Sequence, residues 1–235
     1  MTRPIAQELS IEIEATTLQG VLRVPRGARG AILFVHGSGS GRLSARNTYV
    51  AERLSDAGLV TLLFDLLTLE EEEIDSVTAE MRFDIPLLMG RLLAVTAWTR
   101  SHPQLQGLNI GYFGASTGAA AALAAAARAP DIGAIVSRGG RPDLAGSALA
   151  QVRAPTLLIV GGHDQEVLAL NRGALAKLTC LARLEIVPGA THLFVEPGAL
   201  ECVASLAASW FERHLSGVSP GAAVVEPVRA AGQRD

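Results

Sequence analysis

The chain has 235 residues, 49% of them hydrophobic and 18% charged, which suits one folded α/β domain with a substantial core and excludes a disordered chain. A formal net charge of −3 with no concentrated basic face excludes a nucleic-acid footprint. No apolar run is long enough to span a bilayer, because Arg128 and Pro130 interrupt the Ala-rich segment after Ser116.

Taken in chain order, apolar strand-like runs alternate with amphipathic helices, as in a mostly parallel sheet with helices on both faces. Leu9 to Ala15 alternates, with Ile11 and Ile13 against Glu12 and Glu14, and so does Leu18 to Val24. Both read as antiparallel edge strands joined by a tight turn near Thr16-Thr17. Ala31 to Val35 is a continuous apolar strand. A helix follows from Ala45 to Ala57 and stops at Gly58, and Leu59 to Phe64 is the next buried strand. Asp65 to Phe83 has the least regular pattern and contains the acidic run Glu70 to Glu73, a solvated helix start. Asp84 to Arg100 reads as a helix that tolerates Pro86 in its first turn. Then come a strand at Asn109 to Phe113, a helix at Thr117 to Ala129 and a short strand at Ala134 to Ser137. A short helix at Asp143 to Gln151, a strand at Thr156 to Val160 and a helix at Glu166 to Thr179 follow. The strand Ala182 to Val187 and the helix Pro197 to Leu215 complete about eight strands in one domain, residues 1–215. Residues 216–235, rich in Gly, Ala, Pro and Val without periodicity, read as a flexible tail.

Gly114-Ala115-Ser116-Thr117-Gly118 is a G-x-S-x-G pentapeptide set between a buried strand and an Ala-rich helix. A serine on so sharp a turn is forced into a strained backbone and stands above the sheet at a helix N-terminus, where free N–H groups and the helix dipole favour an oxyanion. A serine hydroxyl needs a base, and the base needs an orienting carboxylate. In open α/β sheets such groups lie in loops at the C-terminal ends of strands. Asp164 follows the Thr156 to Val160 strand and His192 follows the Ala182 to Val187 strand. Ser, Asp and His therefore occur in that order, each just past a different strand. Glu166 is the rival for the acid, and a surface-loop histidine is the plainer reading of His192. Arg138 also follows a strand on this edge. Its guanidinium could hold a substrate carboxylate, or pair with the Glu70 to Glu73 loop. Asp65 is expected to tie down loop N–H groups.

With His36-Gly37-Ser38-Gly39-Ser40-Gly41, the Ser116 turn, Gly162-His163-Asp164 with Val167, and Gly189-Ala190-Thr191-His192-Leu193-Phe194, the chain resembles the α/β-hydrolase superfamily, and within it the dienelactone hydrolase-related small hydrolases. The likeness runs from about Leu18 to Leu215. It implies Ser116 as nucleophile, His192 as general base and then acid, and Asp164 as orienter. It also implies backbone N–H donors for the oxyanion at Thr117 and at Ser38 or Gly39, with His36 as scaffolding of that loop or a substrate contact. Dienelactone hydrolases proper use cysteine as nucleophile, and Cys180 and Cys202 lie away from the turn, so the expectation here is serine esterase-like chemistry. Large caps in this superfamily are commonly inserted after the strand that here is Ala134 to Ser137. Only a short helix fits before Thr156, so no large cap domain is expected. Some relatives occur fused to phosphoribosyltransferase domains.

The expected function is a carboxylesterase-like serine hydrolase acting on a small ester or thioester, with neither cofactor nor metal. The alternatives are a peptidase, amidase or lactone hydrolase on the same residues, and a non-catalytic binding protein that retains the fold. No nucleic-acid or membrane partner is expected, and the Ala-rich surface is compatible with a homodimer. Met1 to Ala15 lacks the apolar stretch of a signal peptide, and two cysteines fit a reduced, cytoplasmic protein.

Overall fold

The computed structural model describes residues 4–14 and 16–215, and the expected tail from Ser216 lies outside them. Eight strands form one sheet in the order β1-β2-β4-β3-β5-β6-β7-β8. These are β1 (Gln7–Ile13), β2 (Thr16–Arg23), β3 (Ala31–Val35), β4 (Val60–Phe64), β5 (Ile110–Ala115), β6 (Ala134–Arg138), β7 (Thr156–Gly161) and β8 (Ala182–Val187). The β1–β2 and β2–β4 pairings are antiparallel, and every pairing from β4 to β8 is parallel. The parallel strands β3 to β7 are buried along their whole length, as the continuous apolar runs require, whereas edge strand β8 is half-exposed.

Helices cover both faces. On one face, α1 (Ala45–Asp56) packs against α6 (Ala199–Leu215), and the core there contains Phe34, Phe113, Val136, Phe194 and Phe211. On the other face, α3 (Ile85–Ser101) packs on α4 (Thr117–Arg128), over a core that includes Leu33, Tyr112 and Ile135. Helix α4 is alanine on almost every side because it is buried on almost every side; small side chains let it lie against the sheet and its neighbours at once. Helix α5 (Gln165–Leu175) follows β7 and is shorter than the periodicity predicts.

Three expectations are corrected. Ile13 pairs directly with Thr16, so the hairpin turns at Glu14 (φ 48°) and the two threonines belong to β2, where their β-branched side chains fit. The segment expected to be the least regular, with only a helix start at Glu70 to Glu73, contains a well-capped helix, α2 (Leu69–Thr78). Thr68 accepts the Glu71 N–H while the Glu71 carboxylate accepts the Thr68 N–H, a reciprocal cap that starts a helix whose apolar pattern is weak. Residues 142–151 form 3-10 turns broken at Gly146 (φ 56°), not one short helix, and among the described residues no separate cap stands over the sheet. Among the described residues, no helix is long and apolar enough to cross a membrane.

Candidate active site

Ser116 joins β5 to α4 with φ 49° and ψ −123°, a conformation rare for a residue with a side chain. Close packing imposes it. A Cβ on Gly118 would stand 2.2 Å from the Val35 carbonyl oxygen and 2.3 Å from that of His36, so only glycine allows α4 to begin this near to β3. The Ser116 N–H donates to the Arg138 carbonyl (3.2 Å), and the Ser116 carbonyl accepts from Ala119 (3.1 Å) and Arg141 (3.0 Å). The side chain remains partly exposed at the C-terminal edge of the sheet.

Thr117 is the first residue of α4, so its N–H has no acceptor within the helix. The loop after β3 lies beside it: a Cβ on Gly37 would come within 2.9 Å of the Ser116 Cβ. Within that loop the Ser40 N–H donates to the Gly37 carbonyl (3.2 Å), and Gly39 takes φ 67°. Ser38 and Gly39, the candidate second donors, therefore sit at the tip of a tight turn next to the serine. Asp65 fastens this loop by accepting both the Arg42 N–H (2.7 Å) and the Arg42 guanidinium, which fulfils its expected tying role.

His36 is placed differently from a substrate contact. Its Nδ1 lies 3.0 Å from the Gly37 carbonyl oxygen, and its Nε2 accepts the Leu66 N–H at 3.0 Å, so both ring nitrogens are committed to backbone and the tautomer is set. Burial holds its pKa below the ordinary 6.5, against the smaller opposing pulls of the Gly37 carbonyl, Asp65 and Glu72. His36 is a neutral tie between the β3 and β4 loops with no polar atom left for a ligand.

Asp164 and His192 meet across the edge, with His192 Nδ1 2.6 Å from Asp164 Oδ2. Asp164 occupies the N-cap position of α5, yet its side chain makes no capping bond; the carboxylate turns to the histidine instead. That geometry selects Asp164 over Glu166, which lies exposed in the first turn of α5. The acid is 14% exposed and the histidine 38%, so the pair is sheltered on the carboxylate side and open on the ring side. Two residues with no role assigned from sequence border the His192 loop. Phe194 (φ 55°), 2% exposed, anchors the loop in the α6 core, and Gly139 lies so near that a Cβ there would be 3.5 Å from His192 Cε1.

Arg138 is 8% exposed and has no carboxylate partner among the described residues. Within the acidic run expected as an alternative partner, Glu71 is engaged elsewhere: it pairs with Arg91 (2.5 Å) and caps Thr68. Between the β3 loop and α2 lies a cavity of about 170 Å³, bordered by Ser38, Leu67, Asp75, Arg82 and Leu88. Among the described residues no group of three or more His, Cys, Asp or Glu side chains could hold a metal ion, and Cys180 and Cys202 are free thiols away from the edge.

The sequence profile of the dienelactone hydrolase family matches residues 18–217. A dienelactone hydrolase crystal structure from Anabaena variabilis is 56% identical, with a TM-score of 0.89, covering 91% of this chain and all of that one. The α/β serine hydrolase homologue from Coxiella burnetii, at 18% identity and a TM-score of 0.71 over 86% of this chain and 96% of its own, shares the fold. Two curated Mycobacterium tuberculosis proteins, from strains CDC 1551 and H37Rv, are 54% identical over 215 residues; their names assign them provisionally as phosphoribosyl transferases. The match covers 91% of this chain and 48% of theirs, so the chain spans about half the length of these curated relatives. With the profile spanning the whole sheet from β2 onward and a 56%-identical structure superposing on it, the chain belongs to the dienelactone hydrolase family.

Proposed function

We propose that this domain is a serine hydrolase that cleaves a small ester or thioester through an acyl-enzyme. The observation that carries the reading is the 2.6 Å Asp164–His192 contact at the edge where Ser116 stands in its strained turn. In this reading the Ser116 hydroxyl attacks the acyl carbon and gives its proton to His192 Nε2, while Asp164 accepts the Nδ1–H and steadies the imidazolium. The carbonyl oxygen becomes an oxyanion held by the N–H of Thr117 and that of Ser38 or Gly39. The intermediate collapses, His192 protonates the departing alcohol or thiol, and the acyl group stays on Ser116. Water, deprotonated by His192, then releases the acid and restores the serine. Every step is a proton or acyl transfer among the substrate, water and groups present in the chain.

A lactone is an internal ester opened by the same steps, and the 56% identity to a dienelactone hydrolase favours including lactones among the substrates. The phosphoribosyl transferase name belongs to proteins about twice as long, and the stretch of this chain that matches them is also the stretch matched by the dienelactone hydrolase profile. The test is Ser116→Ala: turnover of p-nitrophenyl acetate falls by about 10³-fold or more with the thermal transition retained. A folded variant that kept full turnover would defeat the mechanism.

A further inference from the structure

The chain from Arg138, the last residue of β6, to Arg141 touches two of the three proposed catalytic residues through its backbone. The Arg138 carbonyl accepts the Ser116 N–H (3.2 Å), and the Arg141 N–H donates to the Ser116 carbonyl (3.0 Å), so this loop holds the serine from both sides. Gly139, at φ 51°, abuts the histidine: a Cβ there would stand 3.2 Å from the His192 carbonyl oxygen and 3.5 Å from its Cε1. Gly140 lies against the first turn of α4, where a Cβ would come within 2.6 Å of the Ala119 Cβ.

The third residue, Asp164, begins α5, and Asn171 joins α5 to this loop. Asn171 lies about two turns beyond Asp164, on the same face of the helix, and is completely buried. Its Nδ2 donates to the Gly140 carbonyl (2.9 Å) and to the Val167 carbonyl one turn back (2.8 Å). Both partners are acceptors, so the amide has one satisfactory orientation, with Nδ2 toward them and Oδ1 away. Oδ1 is buried without a donor. For stability alone asparagine is a poor residue here. It favours a helix less than leucine does, and a buried acceptor with no partner is costly. The Val167 carbonyl also has a partner within the helix ladder. What asparagine supplies, and a leucine of similar size would not, is the bond across to Gly140.

We propose that Asn171 is a positioning residue for the hydrolytic reaction. Through Gly140 it locks the loop at residues 138–141 to the helix that carries Asp164, and so keeps Ser116 and His192 in register with the acid. Its effect on turnover rests on the serine-hydrolase reading above; its hold on the loop does not. Asn171 reaches no reacting atom and acts only through the loop backbone. Its loss therefore loosens the alignment of Ser116 with His192 without removing a contact to substrate, and registers in kcat more than in KM.

Two variants of the full chain separate the two bonds. Asn171→Leu fills the space and removes both; Asn171→Thr keeps a hydroxyl that bonds the carbonyl one turn back and cannot reach Gly140. Ala174→Gly, buried on the same helix, is the control for a helix that is merely weakened. With p-nitrophenyl acetate, kcat falls about 10- to 100-fold in both Asn171 variants while KM changes by less than about twofold. Asn171→Leu melts no lower than Ala174→Gly, because an unpartnered buried acceptor has gone, and Ala174→Gly keeps its kcat. Amide hydrogen exchange reads the loop directly: the Ser116 and Arg141 N–H groups exchange faster in both Asn171 variants, and those of residues 110–113 keep their protection. Wild-type kcat in either folded Asn171 variant, or a kcat that follows the melting temperature across all three variants, overturns the positioning role. If Asn171→Leu fails to fold, Asn171→Thr decides by the same criteria. A wild type that turns over no ester and is not labelled at Ser116 by a fluorophosphonate defeats the hydrolase reading. The exchange rates then decide whether Asn171 holds the loop, and unchanged rates overturn it.

Discussion

Ser116 keeps its hydroxyl at the sheet edge through a positive φ that costs about 1–3 kcal/mol, and Gly118 lets the surrounding backbone close tightly enough to hold it there. The turn itself was legible in five letters. The use made of His36 was not, because its two partners, Gly37 and Leu66, are joined only when β3 and β4 lie side by side. This arrangement has a pH consequence. The folded-state pKa of His36 lies below 6.5, so between the two values the unfolded chain binds the extra proton and stability rises with pH. Acidification below about pH 6.5 therefore destabilises the protein until the folded-state pKa is passed. Melting curves should show the wild type losing stability on going from about pH 7 to about pH 5, and His36→Gln, less stable at pH 7, losing less over the same interval. Equal losses in both proteins would assign the acid sensitivity to other groups. Arg138 was legible as a candidate from its position after a strand. Its burial and its lack of an acid were not, since they depend on what α1 and α6 bring to that face.

Helix α2 is where element-level reading fell short. Its sequence, Leu69–Thr78, lacks a strong apolar stripe, because one face looks into solvent and only Asp75 is buried. The signal that could have found it was the Thr68–Glu71 cap, a T-x-x-E pattern that does not depend on periodicity. What ties the end of the helix to the site is Asp75. Burial would raise the pKa of its carboxyl. The Arg82 N–H and guanidinium and the Met81 N–H outweigh that and hold it below the ordinary carboxylate value. Asp75→Asn leaves Arg82 without its counter-charge and should cost about 3 kcal/mol. Hydrogen exchange should quicken across residues 69–83 while the β5 and β6 amides keep their protection. Uniform acceleration over the whole sheet would mean that α2 unfolds only with the core. The strands, by contrast, were read almost to the residue at β3 and β8. The sequence of β3 is a continuous apolar run because both its faces are covered.

At the scale of the molecule, the alternation of strands and helices determined the doubly covered sheet, and the sheet in turn gathers three distant loops at one edge. That is why Ser116, Asp164 and His192, far apart in the chain, could be proposed together: each follows a parallel strand, and parallel strands end on the same side. The distances between them could not be read in advance, because they depend on the packing of β7 against β8 and on Phe194 seated in the α6 core. The absence of a large insertion after β6 leaves the site covered by loops and by α2, which fits small substrates better than long acyl chains. The central claim is the acyl-enzyme, and mass spectrometry of the protein quenched during turnover of p-nitrophenyl acetate tests it most directly. The account predicts an acetyl group on the peptide that contains Ser116, reduced in His192→Ala, which lacks the base for acylation, and absent from Ser116→Ala. Ester turnover with no acyl adduct at Ser116, or with the adduct on another residue, would contradict it.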